Sequence, residues 1–200
     1  QVVKKADGGA YDGGSRITLI HNAIPHMFAN VKLTIGNQLV ENINLVSHVS
    51  SMIYDVLYPR SKGKSDGLQF MWLPDTVNST DPAQNKGFKE RSTYLMTTPT
   101  TKGNFKLRLP LHMLFGFMEN FTALKSYPVE IELVRGPDYP ALYRSSGGGH
   151  NVDEGKLKFS EFLLNVPIVK PSTALEVKYL SLMENSESYL YSFRERHGMY

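Results

Sequence analysis

The sequence predicts an all-β fold, an antiparallel β-sandwich with two short helices in its crossovers. Three observations predict this class: apolar and polar residues alternate along several short stretches, only two stretches change to a helical period, and long polar connections separate them. A sandwich buries one face of each strand between two layers, and such alternation supplies that face.

The predicted strands follow from an alternation of apolar and polar residues, which is a period of two residues. The clearest is residues 31–35, in which apolar residues alternate with Lys32 and Thr34 before Gly36-Asn37, a dipeptide suited to a hairpin turn. Further strands are predicted at 16–20, 105–109, 129–134, 157–164, 166–169 and 175–179. The strands at 16–20, 31–35 and 105–109 each have one apolar side, which we expect to face the core, and 157–169 is an extended stretch broken by Pro167.

Two segments change to a period of three to four residues. Residues 45–58 form the first predicted helix, with Asn44 as its N-cap and Pro59 as its stop. Its expected buried side consists of Leu45, Val49, Met52, Ile53 and Val56. Residues 110–125 form the second predicted helix, in which Pro110 takes the first helical position.

Composition narrows the functional classes. Cysteine is absent, which excludes disulfides, thiol nucleophiles and Cys-based zinc sites. The formal net charge is +3 and the 22 Lys and Arg residues are scattered, so we expect weak or no direct nucleic-acid binding. No apolar run approaches the ~20 residues of a membrane-spanning helix, so no membrane span is expected. Because the sequence begins at Gln1 rather than Met, we expect it to be part of a longer or processed protein.

No catalytic, cofactor-binding or metal-binding residue is predicted, and no enzyme activity is expected. The six histidines, among them His21 and His26, lack metal-ligand spacing and are interpreted as structural or surface residues. Glu130 and Glu132 share one face of a predicted strand, which we interpret as its solvent face because a catalytic pair of carboxylates comes from two elements. The glycine-rich stretches lack the Gly-Lys-Ser/Thr of a phosphate-binding loop.

Aromatic residues gather near the end of the sequence. They are Tyr189, Tyr191, Phe193 and Tyr200. Acidic as well as basic residues lie among them, whereas an RNA-stacking surface places aromatic residues among basic ones on strands. We therefore predict a packing or subunit-docking segment in this region.

Three longer segments occur in a characteristic order. The first is "NAIPHMFANVKLTIGNQLVENI" at 22–43, followed by the helix that ends in "YDVLYPR". The second is "NFKLRLPLHMLFGFMENFTALKSYPVEIELVR" at 104–135, and the third is "VPIVKPSTALEVKYLSLMENSESYLYSFRE" at 166–195. In this order they resemble segments of the double jelly-roll major capsid proteins of the Polinton/Maverick and adintovirus group.

The resemblance implies a fold, an organisation and a function. Residues 1–169 would form a jelly-roll β-sandwich, the first roll without its opening strand, and residues 170–200 would form the crossover to a second jelly roll or a C-terminal docking segment. The protein would be a viral or virus-derived capsid structural protein that self-assembles into trimeric capsomers of an icosahedral shell. Its partners would be copies of itself and a penton or minor capsid protein, and its location the virion capsid, assembled inside the host cell.

Two alternatives stay open. A carbohydrate-binding jelly roll would need a groove lined by exposed aromatic residues such as Trp72 and Tyr94. A penton-type minor capsid protein would share the sandwich but occupy the vertices of the shell.

Overall fold

The computed structural model describes residues 1–11, 17–79, 81, 83–96, 104–120, 124, 127–144, 155–184 and 191–198. Within these ranges the chain forms seven short strands and three α-helices, so the fold is mixed rather than all-β. Every strand pair is antiparallel, which confirms that part of the prediction. The strands form three small sheets that do not close into one sandwich.

The elements are as follows. The strands are β1 (Val2–Lys4), β2 (Ile17–Leu19), β3 (Phe28–Ile35), β4 (Gln38–Asn44), β5 (Val129–Arg135), β6 (Leu142–Arg144) and β7 (Gly155–Leu157), and the helices are α1 (Val46–Leu57), α2 (Lys86–Met96) and α3 (Thr173–Glu184). Short 3-10 helices at Arg60–Lys64 and Asp66–Phe70 occupy part of the predicted polar connections.

The largest sheet, with strand order β4-β3-β5, contains the predicted hairpin. Strands β3 and β4 are joined by Gly36 and Asn37, whose φ angles of 56° and 68° are both positive. A two-residue hairpin turn of type I′ requires this conformation at both positions. Strand β5 then pairs with the other side of β3, with Leu133 opposite Val31, so one hairpin organises a strand from a distant part of the chain.

Two smaller sheets also join distant segments. Strand β1 pairs with β7, which places Val2 opposite Leu157, and β2 pairs with β6, which places Leu19 opposite Leu142. All four side chains are buried in the main hydrophobic core. Of the predicted strand 157–164, only Leu157 belongs to a strand, so the rest of that prediction is wrong.

Helix α1 confirms the first predicted helix but not its details. No side chain caps its start: Leu45 occupies the cap position in the left-handed conformation, with a φ of 53°. Its buried stripe is Val46, Ser50 and Tyr54, whereas two residues of the predicted face, Met52 and Val56, are 74% and 84% exposed. The hydrophobic pattern missed this stripe because one of its three members is a serine.

The second predicted helix, at 110–125, is wrong where the structure describes it. Its residues instead form two short 3-10 helices, Leu111–Met113 and Phe117–Asn120, on either side of Gly116. A Cβ atom at Gly116 would clash with the backbone carbonyl of Arg194, so the chain passes this point only with glycine. Residues 121–123 and 125 lie outside the described ranges.

Two helices lie where the sequence predicted none. Helix α2 buries Phe88, Arg91 and Leu95, a helical stripe that is concealed in the sequence by its central arginine. Helix α3 replaces the strand predicted at 175–179, because the alternation of Leu175 and Val177 does not outweigh a run of strong helix formers.

Residues 105–109 keep the predicted alternation but not the predicted strand pairing. Phe105, Leu107 and Leu109 pack against the main core, while the residues between them are exposed. The segment is held by a backbone hydrogen bond of 2.7 Å from the Arg108 N–H to the Gln69 carbonyl. In the described part of the chain, no helix is long and apolar enough to cross a membrane.

Candidate functional site

An unusual apolar surface is formed by the apolar arm, which we define as residues 158–172. It follows β7 and forms neither helix nor paired strand, so the strand predicted at 166–169 is wrong. Every residue from 158 to 170 is exposed. Seven of them are large and apolar, with exposed fractions from 39% to 90%: Phe159, Phe162, Leu163, Leu164, Val166, Ile168 and Val169. Contiguous apolar surface of this size marks interaction sites in folded proteins.

The base of the apolar arm is fixed to the body of the protein. Lys158 exchanges two hydrogen bonds of 2.8 Å with Gln1, which extends the β1–β7 pairing by one residue. The Arg135 guanidinium lies 4.7 Å from the Phe159 ring centre, and the Phe162 ring packs edge-on against Phe28 at 6.2 Å. The arm therefore starts beside the Arg135 end of β5.

Beyond Phe162 the apolar arm loses these contacts. From Leu163 to Lys170 it makes no hydrogen bond or ring contact with the described part of the chain. It then leads into α3, where Leu175, Val177 and Leu180 are 43% to 61% exposed. These three residues point in different directions around the helix, so α3 has no single apolar face to pack on the core.

A second segment, residues 191–198, which we call the docked segment, has the opposite character. Its Arg196 is 6% exposed and inserts among polar groups of three other elements. The guanidinium donates to the Met113 carbonyl at 3.1 Å, to the Tyr54 hydroxyl at 2.8 Å and to Glu119 Oε1 at 2.5 Å. Charge-assisted bonds of this kind are about twice as strong as neutral ones.

The aromatic residues of the docked segment pack within the chain. The Phe117 ring centre lies 5.2 Å from the ring centre of Phe193 and 6.1 Å from that of Tyr191. The structure therefore confirms a packing segment here. Tyr189 and Tyr200 lie outside the described residues.

Glu41, on β4, forms a hydrogen bond to the backbone of the docked segment. Its buried carboxylate accepts backbone N–H groups from Gly116 at 3.1 Å, Phe117 at 2.9 Å and Arg196 at 3.3 Å. Burial raises the pKa of Glu41, and the three N–H donors act against that rise. Glu41 was not predicted from the sequence, although it lies on the same face of β4 as the buried Ile43, which was the available signal.

Two predicted structural histidines lie against α1 but do not share a partner. His21 Nε2 lies 3.2 Å from Asp55 Oδ1, and His26 Nε2 lies 3.3 Å from Ser51 Oγ. The pKa of His21 is lowered mainly by burial. The pKa of His26 is lowered to about 4, first by burial and then by the nearby His48 and His21.

The remaining histidines are dispersed. His48 contacts Ser47, His112 Nε2 lies 2.9 Å from the Tyr58 hydroxyl, and His197 contacts Glu195. His150 lies outside the described residues. Among the described residues, no group of three or more acidic or histidine side chains has a geometry that could hold a metal ion.

The groove expected for a carbohydrate is present only in part. Tyr94 lines an open groove of about 580 Å³, together with Leu68 and the lysines of α2. Trp72, however, is 2% exposed and packs in a separate cluster with Phe70 and Tyr54, so it lines no groove on the surface.

The two strand carboxylates lie on the solvent face of β5, as interpreted from the sequence. Glu130 and Glu132 are both exposed, and Glu132 forms an ion pair of 3.0 Å with Lys32 on the neighbouring strand. Within the described ranges β5 pairs with β3 alone, which leaves its outer edge open.

Comparisons with known proteins add no relative. Neither a protein-family model, nor a curated protein, nor a solved structure matches this chain.

Proposed function

We propose that this chain is a capsid structural protein that self-assembles into trimeric capsomers of an icosahedral shell. The single observation that carries the proposal is the apolar arm, whose seven large apolar side chains are exposed together. Burying one such side chain is worth about 1.5–3 kcal/mol. A surface of this kind favours association with another protein surface over the monomeric state.

Two further observations support a shell protein in particular. The three segments that resemble the double jelly-roll capsid proteins lie in the same order as in that group, and the first of them folds into the expected hairpin and helix. The finer fold, a jelly roll over residues 1–169 with a crossover at 170–200, belongs to this proposal. So do the penton or minor capsid partner and the location in the virion.

The test is the assembly state of the purified chain. Sedimentation velocity from about 1 to 100 µM should show concentration-dependent oligomers, and negative-stain electron microscopy should show threefold particles. Fivefold particles would instead indicate the penton-type alternative. A chain that stays monomeric over the whole range would contradict the proposal.

The groove beside Tyr94 is the observation that favours carbohydrate binding as a second candidate. A glycan array probed with the wild-type chain and with Tyr94→Ala separates it from the first proposal. Binding that the substitution abolishes would support it, and an array without signal would remove it.

A further inference from the structure

The apolar arm and the outer edge of β5 are both unpaired in the described part of the chain. Strand β5 is an edge strand whose residues are all exposed or half-exposed, including Val129 at 44% and Val134 at 40%. An open strand edge presents a row of N–H and carbonyl groups that readily pair with another extended segment. The other edge of the sheet differs, because Gly198 of the docked segment lies against the Asn44 carbonyl at the end of β4.

We infer that the apolar arm adds as a strand to the outer edge of β5 in a second copy of this chain. The inference deepens the proposed function and rests on it, because it names the surface and the partner through which copies associate. Each copy has both elements available at once, since among the described residues neither the arm beyond Lys158 nor the outer edge of β5 is paired within the chain. One arm per copy, each received by the next copy, closes into a ring when the rotation between copies is suitable.

The area of the apolar arm fits a protein partner of this kind. If a large apolar side chain presents roughly 150–200 Å² in full, the exposed fractions of the seven arm residues amount to about 700–900 Å². One partner contributes roughly 800 Å² to a standard-size interface. The arm alone therefore has the area that a stable contact between two copies needs.

The charges of the two elements also complement each other. The free end of the apolar arm carries a lysine, Lys170, whereas its one acidic residue, Glu161, lies near the base that is hydrogen-bonded to its own chain through Lys158. The outward face of β5 carries Glu130 and Glu132. Opposite charges on neighbouring strands stabilise pairing, whereas two copies of β5 edge to edge would place like charges together.

Pro167 predicts which edge of the apolar arm forms the hydrogen bonds. Proline has no N–H, so it is tolerated in an edge strand only where its backbone faces away from the ladder. Successive residues of a strand direct their N–H groups to alternate edges. The odd-numbered positions therefore face outward with Pro167, and the N–H groups of Leu164, Val166 and Ile168 face the partner's β5.

This register gives two matched variants. Leu163→Pro and Leu164→Pro make the same chemical change at adjacent residues that are 70% and 59% exposed, so neither should disturb the folded body. Leu164→Pro removes an N–H from the paired edge and should weaken self-association about tenfold. Leu163→Pro removes one from the outward edge and should stay within about threefold of wild type. Sedimentation equilibrium measures both.

A cross-linking experiment tests the partner directly. Because the chain has no native cysteine, any disulfide must join the introduced cysteines. A chain with Ile168→Cys is mixed with a differently tagged chain that carries Val134→Cys or Glu132→Cys, and disulfide formation is followed by non-reducing electrophoresis. Mixed dimers should form, whereas Lys64→Cys, placed on an exposed 3-10 turn, should give none with Ile168→Cys.

The possible outcomes separate the inference from the proposed function. If the chain associates but both proline variants behave alike, or no mixed cross-link forms, the inference is overturned while assembly stands. A disulfide formed within one doubly substituted monomer would overturn it as well, because the arm would then fold back on its own β5. A chain that never associates contradicts both.

Discussion

The docked segment and the apolar arm lie close together in the sequence, yet each contains residues that are placed against the expectation from their hydrophobicity. The docked segment is polar and charged, and its Arg196 is almost fully buried. The apolar arm contains seven large apolar residues, and Ile168 among them is 90% exposed. The difference teaches that burial in this protein depends on whether a complementary surface is present, not on residue type alone.

The complementary surface is visible for the docked segment. Arg196 meets a carbonyl, a hydroxyl and a carboxylate at hydrogen-bonding distance, and its own N–H meets Glu41. A buried charge is tolerated only when such partners satisfy it. Beyond Phe162, the apolar arm packs against no equivalent apolar surface in the described part of its own chain.

The largest expected effect comes from removing the charge that holds the docked segment. Arg196→Ala leaves the Tyr54 hydroxyl, the Met113 carbonyl and Glu119 without their donor, and should lower the free energy of unfolding by about 3 kcal/mol. Arg194→Ala, two residues earlier on an exposed side chain, should change it by less than about 0.5 kcal/mol. Urea denaturation followed by circular dichroism measures both. Equal effects of the two variants would break the contrast between docked and exposed residues.

A second effect, of at most similar size, is expected from a half-buried polar group that can be titrated. His26 has its pKa lowered from 6.5 to about 4, so the folded protein resists taking up a proton that the unfolded chain binds below pH 6.5. Stability should therefore fall as the pH drops from about 6.5 to 4, by up to about 3 kcal/mol for this group. His21 and His48 face His26 and oppose its protonation, while Asp55 favours it.

Variants assign this pH dependence to His26. His26→Gln should reduce the loss of stability between about pH 7.5 and 4.5, measured by urea denaturation at each pH. His197→Gln, on an exposed residue of the docked segment, should leave that loss unchanged. If both variants keep the full wild-type dependence, other groups cause it.

How far the sequence predicts this structure differs from element to element. The β3–β4 hairpin and helix α1 were predictable because a turn dipeptide and a local period specify them without reference to the rest of the chain. The helix expected at 110–125 failed because its geometry depends on contacts with distant residues, the Arg194 carbonyl at Gly116 and the carboxylate of Glu41. No local pattern contains that information.

The candidate site was predictable only in its composition. The apolar arm was predicted as an extended stretch broken by Pro167, but the sequence does not show whether a partner strand is available to pair with it. Helix α2 was not predicted because the centre of its buried stripe is a charged residue, Arg91. The Arg91 guanidinium is satisfied by the Leu19 carbonyl and by Asp75, two groups that only the fold brings together. Buried polar residues with distant partners thus explain the misses at α2, through Arg91, and at 110–125, through Glu41.

The smallest expected effect is that of Ile168→Ala in the apolar arm, for which the same substitution at Ile43 in the core is the control. Ile43 is 1% exposed and Ile168 is 90% exposed, so the same substitution to alanine removes a core contact at one position and only hydrated surface at the other. Measured near 1 µM, Ile43→Ala should lower the free energy of unfolding by about 3 kcal/mol, and Ile168→Ala by less than about 0.5 kcal/mol. Near 100 µM the comparison sharpens, because association of folded chains adds to the apparent stability of wild type. At this concentration the apparent free energy of unfolding of Ile168→Ala should be lower than that of wild type. A wild-type stability that is independent of concentration would mean that the arm stays exposed in solution.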